Sequence, residues 1–341
     1  MTTFINIHTL ISHPSSMMNR DDSGLQKTAV FGGTVRSRIS SQCLKRSIRQ
    51  SDIYSNAVQE KSIRTNKFDE LLNLCIKEMP DLEPKLIEDV LLNMGSKVKK
   101  EKDKETGETH RYFDAVQPYA LGAIREAINM VEAGTDLKEL KKTVHIPTYD
   151  VALSGRMDAS CPDRNVEAAM SVAHSITTHT ADIEVDWFTA CDDLAEQGSG
   201  HIGTTEFSSG VFYRYASINI DLLANNVKAT VSDVMPIVQT IIRCFAQVAP
   251  TAKQKVFAAH NQADFVMATK SDQPLSLANA FRKPIENTGE VMEGSITALV
   301  KHYEKLKDAY EIESEAIALD LTGSAQNEQI TWVSKISDIK F

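Results

Sequence analysis

Between Ser23 and Ser51 the chain has no aspartate or glutamate, while Lys27, Arg36, Arg38, Lys45, Arg46 and Arg49 all fall inside that stretch. Cations at this density, beside the capping hydroxyls of Ser40 and Ser41 at a predicted helix start, suit phosphate. Guanidinium and ammonium groups give charge-assisted hydrogen bonds, and a helix N-terminus adds unsatisfied N–H groups. A solvated amphipathic helix has the same signature, and Arg36, Arg38 and the Gly32–Gly33 pair upstream weigh towards nucleic acid. In DIEVDWFT, alternation puts Ile183, Val185 and Trp187 on one face and leaves Phe188 on a face otherwise made of Asp182, Glu184 and Asp186. An aromatic there either packs under a loop or stacks on a base. Met157, after Gly155 and Arg156 at a predicted strand end, admits the same two readings. Lys138, Lys141 and Lys142, on one short predicted helix, are either a contact for duplex DNA or a solvated face.

Signals for an enzyme are poor. His174 and His179 are five apart rather than four, no HExxH, GxSxG or CxxC occurs, and GEVMEGS lacks the lysine of a phosphate-binding loop, so the histidines read as structural. The cysteines at 43, 75, 161, 191 and 244 are odd in number and widely spaced, as expected of reduced packing residues. No metal and no cofactor is implied. The first thirty residues have no basic segment followed by an apolar run, and no later run is apolar enough to span a bilayer, so a cytoplasmic protein without membrane contact is expected. The net charge of −9 argues against a generally basic nucleic-acid binder, yet the window is wholly cationic. The remainder is therefore still more acidic, which directs an anionic partner to one place.

These residues need a scaffold, and the 341-residue chain is long enough for one large domain or two small ones. FINIHTLI alternates as a strand, with Ile5, Ile7, Thr9 and Ile11 on one face and Asn6 and His8 on the other. In AVFGGTVRSRIS, Gly32 and Gly33 permit a tight turn or a close backbone approach before a strand-like stretch, and Leu44 and Ile48 give the next helix its core face. From Phe68 to His145 the pattern is helical, except that KVKKEKDKETGETHR (97–111) reads as a solvated loop. YDVALSGRM has strand character, and Val166 to Thr178 has helical spacing at Ala169, Val172, Ala173 and Ile176. Residues 181–212 form a glycine-rich excursion returning on the aromatic strand GVFYRY. A helix at 231–249, a strand at DFVMATK and a helix at 295–309 follow, giving an α+β class.

The segments FINIHTLISHPSS, NRDDSGLQK and FGGTVRSRISSQCLKRSIR closely resemble CasC, the backbone subunit family of type I-E CRISPR Cascade. So do DVALSGRM, AAMSVAHSITTHTADIEVDWFTACDDL, GTTEFSSGVFYRYASINI and KQKVFAAHNQADFVMATKSDQPLSLANAF. The resemblance implies a palm related to the RNA-recognition (ferredoxin-like) fold, a helical finger insertion and a β-hairpin thumb. The palm would be residues 1–55, 149–180 and 213–341, the fingers 56–148 and the thumb 181–212. It implies a non-catalytic protein whose partners are CRISPR RNA, further copies of itself head to tail, target DNA through guide pairing, and Cascade subunits of the CasA, CasB, CasD and CasE types. Carried over position by position, Arg20, Lys27, Arg38, Ser40, Gln42, Lys45, Arg46 and Arg49 would hold the guide backbone. Met157, Phe188 and Thr189 would wedge a kinked nucleotide, and Lys138, Lys141 and Lys142 would touch target DNA. Some relatives have consecutive basic residues after Gly33, where this chain has Thr34 and Val35. The rival is a type III-like backbone protein that cuts target RNA with a metal held by a palm-loop aspartate, for which Asp21 and Asp22 are the candidates. A free-standing RNA-binding monomer lacks support, since the aromatic consensus of ordinary RNA-recognition domains is missing.

Overall fold

The computed structural model describes residues 2–102, 107–143, 145–159, 161–191, 193, 199–287 and 289–341. In chain order it begins with strands β1 (Phe4–Ser16), β2 (Thr28–Phe31) and β3 (Thr34–Ile39) and helices α1 (Ser41–Gln50) and α2 (Asp52–Ser55). Next come β4 (Ile63–Lys67), α3 (Phe68–Glu78), α4 (Pro84–Met94), β5 (Val98–Lys102), β6 (Thr109–Tyr119), α5 (Leu121–Glu132) and α6 (Tyr149–Ser154). The rest comprises β7 (Met170–Val172), β8 (Ser175–Thr177), β9 (Glu184–Cys191), β10 (Ser199–Asn219), α7 (Ile220–Asn226), α8 (Val231–Gln247), α9 (Gln254–Phe257), β11 (Phe265–Ser271), α10 (Val291–Ala309), β12 (Ser314–Asp320) and β13 (Thr331–Trp332). The chain divides into two compact units, one of Met1–Ala57, Met170–Asp221 and Met235–Phe341, the other of Val58–Ala169 and Leu222–Val234. Residues 149–169 thus cluster with the helical insertion.

In the first unit the described strands form a mixed sheet ordered β13-β12-β11-β1-β10-β8-β3-β2, with β7 and β9 also on β10. Every pairing is antiparallel except β12 with β13. The polar face expected for β1 is not solvated: Asn6 and His8 are as buried as Ile5 and Ile7. Three of the four polar side-chain atoms of these two residues have partners, and His8 Nε2 has none among the described residues. Asn6 Nδ2 donates to Ser271 Oγ (2.9 Å), and its Oδ1 accepts from Leu275 N (2.9 Å) and Tyr215 Oη (3.2 Å). His8 stacks on Tyr215 at 5.3 Å, with Nδ1 2.9 Å from Tyr213 Oη. Leu10, Tyr213, Phe265 and Met267 pack with Ile296, Leu299 and Tyr303 of α10 in one core. Arg214, fully buried and with no carboxylate partner among the described residues, donates to the carbonyls of Phe245 (3.2 Å) and Val248 (2.8 Å) at the end of α8. A cation there satisfies groups that the helix leaves unpaired.

Three glycines shape this unit. Gly32 and Gly33, both with positive φ, make the two-residue turn between β2 and β3, and a Cβ on Gly32 would run into the Arg282 carbonyl oxygen at 1.6 Å. Both the turn and the close approach that the sequence permits are present. Gly203 lies opposite Phe188 in the β9–β10 hairpin, where a Cβ would meet the Phe188 ring at 2.4 Å.

The second unit joins the three-stranded sheet β4-β6-β5 to α3, α4 and α5 around Phe68, Leu71, Val90, Leu91, Phe113, Ile124 and Ile128. Arg111 binds Asp69 (2.6 Å) and Glu88 and lies 4.5 Å over the Phe68 ring.

Three sequence readings are corrected. The predicted loop 97–111 is largely strand: Val98 pairs with the core residue Phe113, and a charged ladder runs from Lys99 to Lys102 opposite Thr109 to Tyr112. YDVALSGRM begins as helix α6, since a short apolar run does not distinguish the two periods. Asp150 in its first turn accepts from Ser62 N (3.0 Å), Thr148 Oγ1 (2.8 Å) and Ser62 Oγ. The helix expected over Val166 to Thr178 is instead the strand pair β7 and β8, recruited by β10 through Met170 opposite Ile218 and Ile176 opposite Tyr213. Tertiary pairing overrides the helical spacing.

Candidate nucleic-acid interface

The cationic window folds into one surface of the first unit because Asn19, a residue with no signal of its own in the sequence, ties its ends together. Asn19 Oδ1 accepts from Ser40 N (2.9 Å), its carbonyl accepts from Lys27 N (2.9 Å), and Arg38 N donates to the Lys27 carbonyl (2.9 Å). A backbone bridge between Arg20 and Gln26 closes the intervening loop, and Gln26 Nε2 anchors it to Ser208 Oγ on β10 (2.6 Å). Arg20, Lys27, Arg38 and Ser40 are thereby brought together at the start of α1. Ser40 caps that helix, its Oγ accepting from Cys43 N at 3.2 Å, and the first turn contains no acidic residue. Leu44 and Ile48 hold the helix to the core; Gln42 and Arg46 are exposed, while Lys45 and Arg49 are half-buried rather than fully solvated. Burial pushes the Cys43 thiol up, against the pull of the Lys27, Arg214 and Arg46 charges.

Arg36 does not belong to this surface. It is fully buried, donating to Thr34 Oγ1 (2.9 Å), the Thr177 carbonyl (2.9 Å) and the Phe281 carbonyl (3.0 Å), with its guanidinium 5.8 Å from the Phe31 ring centroid. Arg36 and Arg38, two apart on β3, share a face of the strand; Arg36 is covered there by Thr177 and Phe281, whereas Arg38 stays half-buried and reaches the Thr28 carbonyl and His174. Of the two histidines, His179 is structural: its Nε2 accepts from Val211 N (3.2 Å) and Nδ1 lies 2.8 Å from the Thr180 carbonyl. His174 is exposed, with Nδ1 3.0 Å from Arg38 Nη1. Asp21 spends its Oδ1 on the amides of Ser23 and Leu25, both at 2.9 Å. Among the described residues no three metal-binding side chains converge.

The β9–β10 hairpin extends past the end of β1, whose pairing with β10 stops at Ser208. The faces are as expected, but the exposure is not: Trp187 is 72% exposed and Phe188 43%. Phe188 lies across Gly203, with its ring centroid 6.2 Å from that of His201, while Val185, Trp187 and Ile202 stand exposed on the opposite face beside Thr189. The hairpin is thin, so its apolar face has no core beneath it.

Met157 belongs to the second unit and is 81% exposed, which rejects the core reading. It follows α6 rather than a strand, and its backbone is fixed. Arg156 and Val166 exchange hydrogen bonds at 3.0 and 2.9 Å, and Gln117 Nε2 donates to the Met157 carbonyl at 3.1 Å. The Arg164–Asp158 pair (2.7 Å) is buried in the same loop. Lys138 and Lys141 lie on a 3-10 segment, Leu137–Lys142, where residues three apart eclipse. Both are exposed on the side away from the buried Leu140; the Lys142 side chain lies outside the described residues.

Among curated proteins none is similar enough to count as a relative. A chain of a solved structure described as a CRISPR RNA-guided surveillance complex, pre-nicking, is similar over 97% of this chain and 96% of its own, with 27% identity and a TM-score of 0.83. A second, from a CRISPR RNA-guided surveillance complex, covers 97% and 95% at 23% identity and a TM-score of 0.64, a likeness of fold. The model of the CT1975-like protein family (Cas_CT1975) matches residues 5–338, nearly the whole chain, and the protein therefore belongs to that family.

Proposed function

We propose that the chain is a non-catalytic, guide-RNA-binding backbone subunit of a type I-E CRISPR surveillance complex in the cytoplasm. Several copies follow one RNA together with the other Cascade subunits and present it to target DNA. The observation that carries this reading is the assembly of Arg20, Lys27, Arg38 and Ser40 with the cationic face of α1 on an otherwise acidic protein. Such a surface reads phosphates and leaves sequence to base pairing. Kinking is assigned to Met157, Phe188 and Thr189, since exposed apolar groups on fixed backbone can replace lost base stacking worth about 1–3 kcal/mol per base. Target DNA is assigned to the Lys138 and Lys141 segment.

The test is to isolate the chain from cells co-expressing a CRISPR array and the remaining subunits. Short RNA of uniform length is expected with it; an RNA-free protein would overturn the reading. In that complex Met157→Ala with Phe188→Ala is expected to keep the guide but lose regularly spaced hyper-reactive nucleotides in chemical probing. An identical periodic pattern in both proteins would remove these residues from the kink. Labelled complementary RNA with Mg²⁺ is expected to stay intact, because Asp21 serves its own turn. Cleavage at regular intervals that disappears in Asp21→Ala or Asp22→Ala would instead establish the type III-like alternative.

A further inference from the structure

We infer that His174 is an additional RNA-positioning residue: a neutral imidazole that donates a hydrogen bond from Nε2 to a backbone oxygen of the bound guide. The inference rests on the guide-binding reading above and adds a residue of a different chemical kind to it. A guanidinium has donors and no acceptor, so the 3.0 Å approach of Arg38 Nη1 to His174 Nδ1 requires Nδ1 to carry the lone pair. The ring proton of the neutral form must then sit on Nε2, the distal nitrogen. The same geometry steadies Arg38, whose Nε is held by the Thr28 carbonyl at 3.1 Å. The charged groups acting on the ring are Arg38 and Lys27; together with partial burial, which contributes most, they hold its pKa below the usual histidine value. The ring thus stays uncharged among cations at neutral pH. It is exposed where Arg38 and Lys27 would meet phosphates, and its donor costs no counterion when it binds.

That last property separates it from its neighbours. Removing a cation weakens RNA binding and flattens its salt dependence, by about 0.7 in the slope for each phosphate that is no longer neutralised. Removing a neutral donor weakens binding at an unchanged slope. His174→Asn keeps an acceptor near the Nδ1 position and loses the distal donor, whereas His174→Gln places a donor near Nε2. Binding of the purified chain to end-labelled single-stranded RNA across a salt series is expected to be roughly 2- to 10-fold weaker for His174→Asn with the wild-type slope. His174→Gln should recover most of the loss. A penalty persisting on single-stranded DNA supports a phosphate oxygen as the acceptor, and one confined to RNA supports the ribose 2′-hydroxyl. Wild-type affinity in His174→Asn, or a loss accompanied by a flattened slope, overturns the inference. Lys45→Ala with Arg49→Ala is measured alongside: if that variant also binds normally, the guide-binding surface itself is misplaced, whereas its failure beside a normal His174→Asn rejects His174 alone.

Discussion

Acidification from pH 6.5 to 4.5 is expected to cost the folded protein roughly 4–5 kcal/mol through His8 and His13 alone. Both are buried on β1, and desolvation lowers each to about 3 from 6.5, with the Arg214 charge adding to the effect at His13. Their surroundings fix them as neutral. Leu277 N donates to Tyr213 Oη, which leaves the Tyr213 hydroxyl proton for His8 Nδ1, and Arg214 Nη2 donates to His13 Nε2 at 3.1 Å. The unfolded chain binds protons at these sites below pH 6.5 and the folded chain does not until about pH 3. Stability is therefore fully present above pH 6.5 and falls between those limits, by about 1.4 kcal/mol per pH unit for each histidine. Urea unfolding over a pH series measures it. His8→Gln with His13→Gln is expected to be less stable at pH 7.5 yet to lose roughly twice 1.4 kcal/mol per pH unit less on acidification. Parallel curves for variant and wild type would show that these histidines do not set the acid limit.

The polar residues of β1 also mark where sequence reading stops. Period two was legible in FINIHTLI, but whether the Asn6 and His8 face meets water depends on Tyr213, Tyr215 and Leu275, more than two hundred residues away. Likewise, Ala169, Val172, Ala173 and Ile176 fit a helix by spacing, yet Val172 and Ile176 lie in strands because β10 had an edge for them. Local signals succeeded where the cause was local: the Ser40 cap, the Gly32–Gly33 turn and the core face of α1. The candidate site divides the same way. The acid-free window announced itself by charge, and Phe188 by its place among carboxylates. Asn19 and His174 carried no local signal, since their roles are hydrogen bonds to Ser40 and Arg38 across 21 and 136 residues.

The window itself yields the sharpest functional test, because six cations adjacent in sequence have two different fates. Lys45→Ala with Arg49→Ala is expected to weaken single-stranded RNA binding by an order of magnitude or more, as charge-assisted bonds are worth about 1.5–3 kcal/mol each. With two fewer phosphates neutralised, the slope of log affinity against log salt should also flatten by roughly 1.4. Folding should be retained, since Leu44, Ile48 and the Ser40 cap are untouched and alanine is the best helix former. Arg36→Ala is expected to do the reverse. It leaves the Thr177 and Phe281 carbonyls without their buried donor, at about 1–3 kcal/mol for each unsatisfied group, and takes nothing away from the phosphates. Its melting temperature should fall while the folded protein keeps the wild-type salt slope. Titrating both variants and the wild type against one labelled RNA, with thermal unfolding measured on the same preparations, separates the roles. An unchanged slope in the double variant would take α1 out of the RNA path, and a flattened slope in Arg36→Ala would mean that Arg36 reaches phosphate from a position the fold gives to Thr34, Thr177 and Phe281.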